Sequence, residues 1–212
     1  MEPSQPMQPF DRAQPALPGE VAWYVTGRFY GIENGPAFDA GYFLHVQGID
    51  AELFSGPRGE GTAYLTFLAE PFTSHPVSNG SIQLGVDPVG DFGVYLNTSA
   101  GASFDKPHSF SAGVPVARFR RVSIVAGATV EGGSANTPVF SANVFSARLI
   151  ESREFELGGK RFDFARLVPN GVTQWGTMAA TSTGPVDKWQ TVIPFVGSAI
   201  AIGGHAPGGP PR

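Results

Sequence analysis

Residues 139–157 run Val-Phe-Ser-Ala-Asn-Val-Phe-Ser-Ala-Arg-Leu-Ile-Glu-Ser-Arg-Glu-Phe-Glu-Leu, the longest stretch of the chain that reads as one regular element. Side chains on a strand point alternately to its two faces. One row here is Val139, Ser141, Asn143, Phe145, Ala147 and Leu149; the other is Phe140, Ala142, Val144, Ser146, Arg148 and Ile150. Neither row is wholly polar, so both faces are expected to be at least partly covered. A strand covered on both sides, in a chain with few helix signals, belongs in a sheet that closes on itself or is packed on both faces.

The rest of the sequence reads as short strands set apart by turns. Strands are expected over residues 21–30, 41–49, 62–72, 81–86, 91–97, 115–125 and 128–139, then over 161–168, 174–181 and 190–202. Asn79-Gly80 is the strongest hairpin signal. Further turns fall at Glu33–Pro36, at Ser55–Gly61, at Gly158-Gly159 and at Asn170-Gly171, and residues 98–113 form a long loop. Nowhere do ten or more residues carry apolar positions at helical spacing with credible caps. The expectation is an all-β fold, a single antiparallel barrel or closed sandwich of about ten strands.

Composition sets limits on this. A chain of 212 residues suits one all-β domain, and an apolar share of 42% supports a core. Only 15% of residues are charged and 28 are glycine, so the surface is expected to be rich in Gly, Ser, Thr, Asn and Pro. Pro3, Pro6, Pro9, Pro15 and Pro18 make residues 1–18 a flexible arm, 19–202 the barrel domain, and 203–212 a flexible Gly/Pro tail. Net charge is −4, and the one basic cluster, Arg118, Arg120 and Arg121, is too small for a nucleic-acid surface. Without cysteine, disulfides, Cys-zinc sites and thiol catalysis are excluded. The first twenty residues lack the apolar core of a signal peptide, which tilts the expectation towards the cytoplasm. The longest apolar run, residues 192–202, holds Pro194 and Gly197 and falls short of the ~20 residues of a membrane helix, so no membrane insertion is expected.

Familiar catalytic signatures are missing. The sequence has no Gly-x-Ser-x-Gly elbow, no Walker lysine and no His-x-His metal pair, so neither metal nor cofactor is expected. Gly56, Gly59 and Gly61 sit between strands with no helix behind them and read as a hairpin loop. Of the four histidines, His75 and His108 lie in loops and His205 in the tail, whereas His45 lies inside a strand. It reads as a hydrogen-bonded wall residue or, with Glu70 as its orienting carboxylate, as a catalytic base.

Tyr24, Tyr30, Tyr64 and Tyr95 fall in rows with these groups, away from the most apolar rows. Facing inwards they would line a ligand site together with Arg118 and Arg148, since an arginine inside a barrel selects carboxylate or phosphate. Facing outwards they would form an amphipathic wall or an interface. Asp163 could pair with one of the strand arginines and remove that role. Two functions follow. One is a barrel binding a small apolar organic ligand, as a carrier or a metal-free enzyme of isomerase or cyclase type. The other is an assembly protein, a homo-oligomer held by Tyr- and Gly-rich faces and the Pro-rich arms.

Overall fold

The computed structural model describes residues 15–33, 35–73, 77–80, 82–87, 90–99, 101–122, 125–131, 138–179 and 181–203. Most of the arm (residues 1–14), His75, Gly132-Gly133 and the tail from residue 204 with His205 lie outside them. The strands are β1 (Val21–Gly31), β2 (Ala37–Val46), β3 (Leu65–Ala69), β4 (Val77–Asn79), β5 (Ile82–Asp87), β6 (Asp91–Leu96) and β7 (Val114–Arg121). They continue as β8 (Val125–Glu131), β9 (Pro138–Ser152), β10 (Phe155–Leu157), β11 (Lys160–Phe162), β12 (Val172–Met178) and β13 (Thr191–Ala201). A short 3-10 turn (Pro107–Ser111) and a one-turn helix α1 (Phe164–Leu167) complete the elements.

Eight antiparallel strands close into a barrel in the order β12-β13-β1-β2-β3-β6-β7-β9, with β9 pairing back onto β12. The expected antiparallel barrel is therefore present, closed by eight strands rather than about ten. The fifteen-residue β9 is its hub: it bonds β12 along one edge and β7 then β8 along the other. Its rows are sorted differently from expectation. Phe145 and Ala147 are buried inside, while Val144, Arg148 and Ile150 face solvent. From residue 142 onwards one face of β9 is covered more fully than the other.

Alternation on the other strands follows the same logic. On β1, Trp23 and Val25 point inwards while Tyr24 is exposed. Trp23 meets Phe43 and Phe119 edge-on, at centroid distances of 5.6 and 5.4 Å. Gly27 and Gly41 face each other across β1 and β2. A methyl group on Gly41 would stand 2.6 Å from the Gly27 Cα and 2.8 Å from the Phe67 ring. Glycine here lets Phe67 and Phe195 lie flat on the inner wall.

The two ends of the barrel differ. At one end Ile49, Leu53, the β10–β11 hairpin and α1 form a stopper whose Phe155, Leu157, Phe162, Phe164 and Leu167 join the main core. Phe164 is fully buried and contacts Phe43, Phe119 and Phe155. Asp163 caps α1 by accepting from the Ala165 N–H, and the Ser152 hydroxyl also donates to it. The strand expected over residues 161–168 is thus a short strand followed by a helical turn. Ala16, within the expected arm, is buried, and its N–H donates to the Leu167 carbonyl.

At the other end the described residues leave the barrel uncapped. There β5 pairs with β8, and β4, β5, β8 and the start of β9 extend the sheet beyond the eight barrel strands on one side. Outside the barrel, Ala102, Phe104 and Phe110 of the long loop cover Tyr30, Phe38 and Ala40 as a second core, with Trp189 and Val192. The loop is fastened by Tyr30 Oη, which donates to the Phe104 carbonyl at 2.8 Å, and by Thr66 Oγ1, which donates to the Phe110 carbonyl at 2.6 Å. Among the described residues no helix is long and apolar enough to cross a membrane.

Candidate functional site

Inside the open mouth, eight strands contribute to a cup. Its lower part is Trp23, Val25, Phe43 and Phe67, and its upper wall is Phe92, Phe145 and Phe195. Four polar side chains share this space: Asp39 from β2, Arg121 from β7, Asn143 from β9 and Gln174 from β12. The rings nearly fill the cup. Its cavity volume is about 20 Å³, close to the size of one water site.

Asp39 and Arg121 form an ion pair across the mouth, Nη2 to Oδ2 at 3.2 Å, with side-chain exposures of 20% and 4%. The guanidinium lies over Phe145 at 4.7 Å and over Phe92 at 5.6 Å. Below it the Trp23 indole N–H donates to the Gln174 side-chain Oε1 at 3.3 Å. Burial pushes the Asp39 carboxyl above its usual value, against the charge and hydrogen bond of Arg121. Burial also pulls the Arg121 guanidinium down, against Asp39. Two charges taken out of water hold together because each compensates the other. Such a pair inside an aromatic wall presents a donor and an acceptor within one small neutral unit.

The residues singled out from the sequence lie elsewhere. His45 and Tyr24 are exposed neighbours on the outer wall, with ring centroids 6.0 Å apart. Glu70 follows β3 at the mouth end, whereas His45 is near the stopper, so the two stand at opposite ends of the wall. Tyr30 is buried beneath the loop, and Tyr64 packs half-buried beside the stopper. Arg148 is exposed opposite Arg120 on the outer face.

Three of them do meet, outside the barrel. Glu70, Tyr95 and Arg118 line a groove of about 320 Å³ with Leu68, Pro115, Val116, Glu151 and Arg153. Arg118 reaches Glu70 and also Asp91, the latter at 2.9 Å. Arg120 grips both Asp91 oxygens, at 3.1 and 3.2 Å. The Arg120 hydrogen bond is the main reason the Asp91 carboxyl sits below its usual value. Burial raises the Tyr95 phenol, with Arg118 opposing. The groove's charges are thus largely satisfied by one another.

Asp39 and Arg121 were the residues sequence reasoning passed over. Arg121 shares its strand row with Phe119, and Asp39 shares one with Gly41 and Phe43. Extending the expected strand from residue 41 back to 37 would have put Asp39 on the inward row. Among the described residues no three His, Asp or Glu side chains converge to hold a metal ion. Comparison with protein-family models, with characterised proteins and with solved structures finds no match for this chain in any of the three.

Proposed function

We propose that the protein binds a small, flat, uncharged and largely apolar organic molecule at the open end of the barrel. The observation that carries this reading is the buried Asp39–Arg121 pair set among aromatic rings. Ligand sites are apolar hollows with a few polar groups that fix orientation. Asp39 and Arg121 already offset each other's charge, so a charged ligand would add net charge to an aromatic cup, at a cost. A carbonyl or hydroxyl on an aromatic or conjugated body matches it: Arg121 donates, Asp39 accepts. The cup as it stands has room for about one water, so a flat molecule would enter by parting the rings of Phe92, Phe145 and Phe195.

The same reading covers a carrier and a metal-free isomerase or cyclase. The two differ in whether Asp39 exchanges a proton with the bound molecule, and a carboxyl whose affinity for protons burial has raised is suited to that exchange.

The test uses prodan, a neutral naphthalene ketone whose emission shifts to the blue in apolar surroundings. Titration into the protein is expected to give that shift, with energy transfer from Trp23 in the cup. Asn143→Phe, which narrows the mouth at a half-buried position, is expected to weaken binding at least ~tenfold, a loss of about 1.4 kcal/mol. An anionic naphthalene sulfonate is expected to bind less tightly than prodan. A prodan signal that is absent, or indifferent to Asn143→Phe, removes the reading.

A further inference from the structure

The barrel's outer wall carries an apolar row that strand register sets side by side. Val144 on β9 stands opposite Trp175 on β12, Trp175 opposite Ser198 on β13, Ser198 opposite Tyr24 on β1, and Tyr24 opposite His45 on β2. Trp175 is 57% exposed, Tyr24 45% and Val144 44%. Val196 and Ile200, at 53% and 47%, flank Ser198 on either side along β13. The hydroxyls around them are satisfied within the wall: Thr26 donates to the Phe195 carbonyl, and Ser146 and Thr173 bond each other. Water therefore meets a broad surface that offers it little.

We propose that this face is where two copies of the chain pack against each other. Three features favour a second copy over another occupant. The first is charge. Across β9, β12, β13 and β1 the three central rows carry no charged side chain, so nothing there would recognise an acidic or basic partner. A barrel that spans a bilayer would need an apolar girdle all round, and the outer wall of β3, β6 and β7 instead carries Glu70, Arg118 and Arg120.

The second is area. With strands ~4.8 Å apart and a rise of ~3.4 Å per residue, the apolar centre spans roughly 20 by 20 Å in projection. That is about half of the ~800 Å² one partner gives to a standard interface. Thr26, Ser146, Thr173 and Ser198 lie within that centre, and Arg148 at its edge supplies a polar rim of the kind such interfaces have. The third is shape. Ser198 is a notch between two large rings, Trp175 and Tyr24. A two-fold axis through the face lets the indole of each copy fill the notch of the other, as an isologous contact requires.

Light scattering behind gel filtration tests this directly. The wild type at tens of micromolar is expected at twice the chain mass. Trp175→Glu is expected to halve that mass while the β-type circular dichroism stays unchanged. Val114→Glu, at an exposed valine on β7 away from the row, is expected to keep the doubled mass. Should Trp175→Glu lose its β spectrum, Val196→Glu takes its place with the same expectation. A wild type at the single-chain mass, or a doubled mass that the folded face variants leave intact, overturns the proposal. A single-chain species that co-sediments with phosphatidylcholine vesicles would give the face to lipid and overturn it too.

Discussion

Asp39 and Asp91 are both carboxylates held by arginine, and their proton affinities move in opposite directions. At Asp39 burial outweighs Arg121 and the affinity rises; at Asp91 the bond from Arg120 outweighs burial and it falls. Relative to the unfolded chain, where aspartate titrates near ~3.9, the folded state binds the Asp91 proton less tightly. Asp91 therefore contributes stability above that value and loses it as pH falls through and below it. Asp39 runs the other way, adding stability as pH falls from its raised value towards ~3.9. Asp91→Asn is expected to cost about 1–2 kcal/mol at pH 7, an estimate reduced because Arg120 is largely exposed. In urea melts between pH 7 and pH 3 the gap to the wild type should close; a gap constant with pH would show that Asp91 is not held as the ion. None of this pairing was legible in the sequence. Arg118, Arg120 and Arg121 read as one cluster, yet parity sends the first two outwards and the third inwards, to partners 29 to 82 residues away.

At the scale of elements, the stopper is where sequence reading failed and packing decides. A helix of four residues completes barely one turn, too short for apolar spacing to distinguish it from a strand. Only the Asp163 cap and the burial of Phe164 and Leu167 define α1. Phe164→Ala is expected to cost about 3–5 kcal/mol, because the ring fills the space between the stopper and the barrel core. Ile150→Ala, on the solvent side of β9, is expected to change stability by less than ~0.5–1 kcal/mol. Equal losses from the two in guanidinium melts would contradict the sidedness of β9 described above. The long strand itself was visible as a regular element, although it ends at Ser152 and the expected residues 155–157 form the separate strand β10. Which of its mixed rows faced inwards was not, because Val144 and Ile150 look like core residues until their neighbours are known.

For the whole molecule, fold class was readable from turn spacing and the lack of helical periodicity, whereas closure was not. The barrel is sealed by β9 against β12 and by β1 against β13, so its first and last strands are partners. Pairings this distant are entropically costly to form and slow to find. Deleting residues 191–212 removes β13 and leaves β1 and β12 as unpaired edges. The expected outcome is loss of the cooperative thermal transition followed by circular dichroism; a sharp transition in the truncated chain would show that the barrel does not need closure. The stopper has a further consequence for traffic. Among the described residues the barrel is shut at the stopper end, so under the proposed function a molecule seated on Asp39 and Arg121 would leave by the path along which the next one arrives. Exchange would then be one out, one in, and an excess of competitor would not hasten the departure of the occupant.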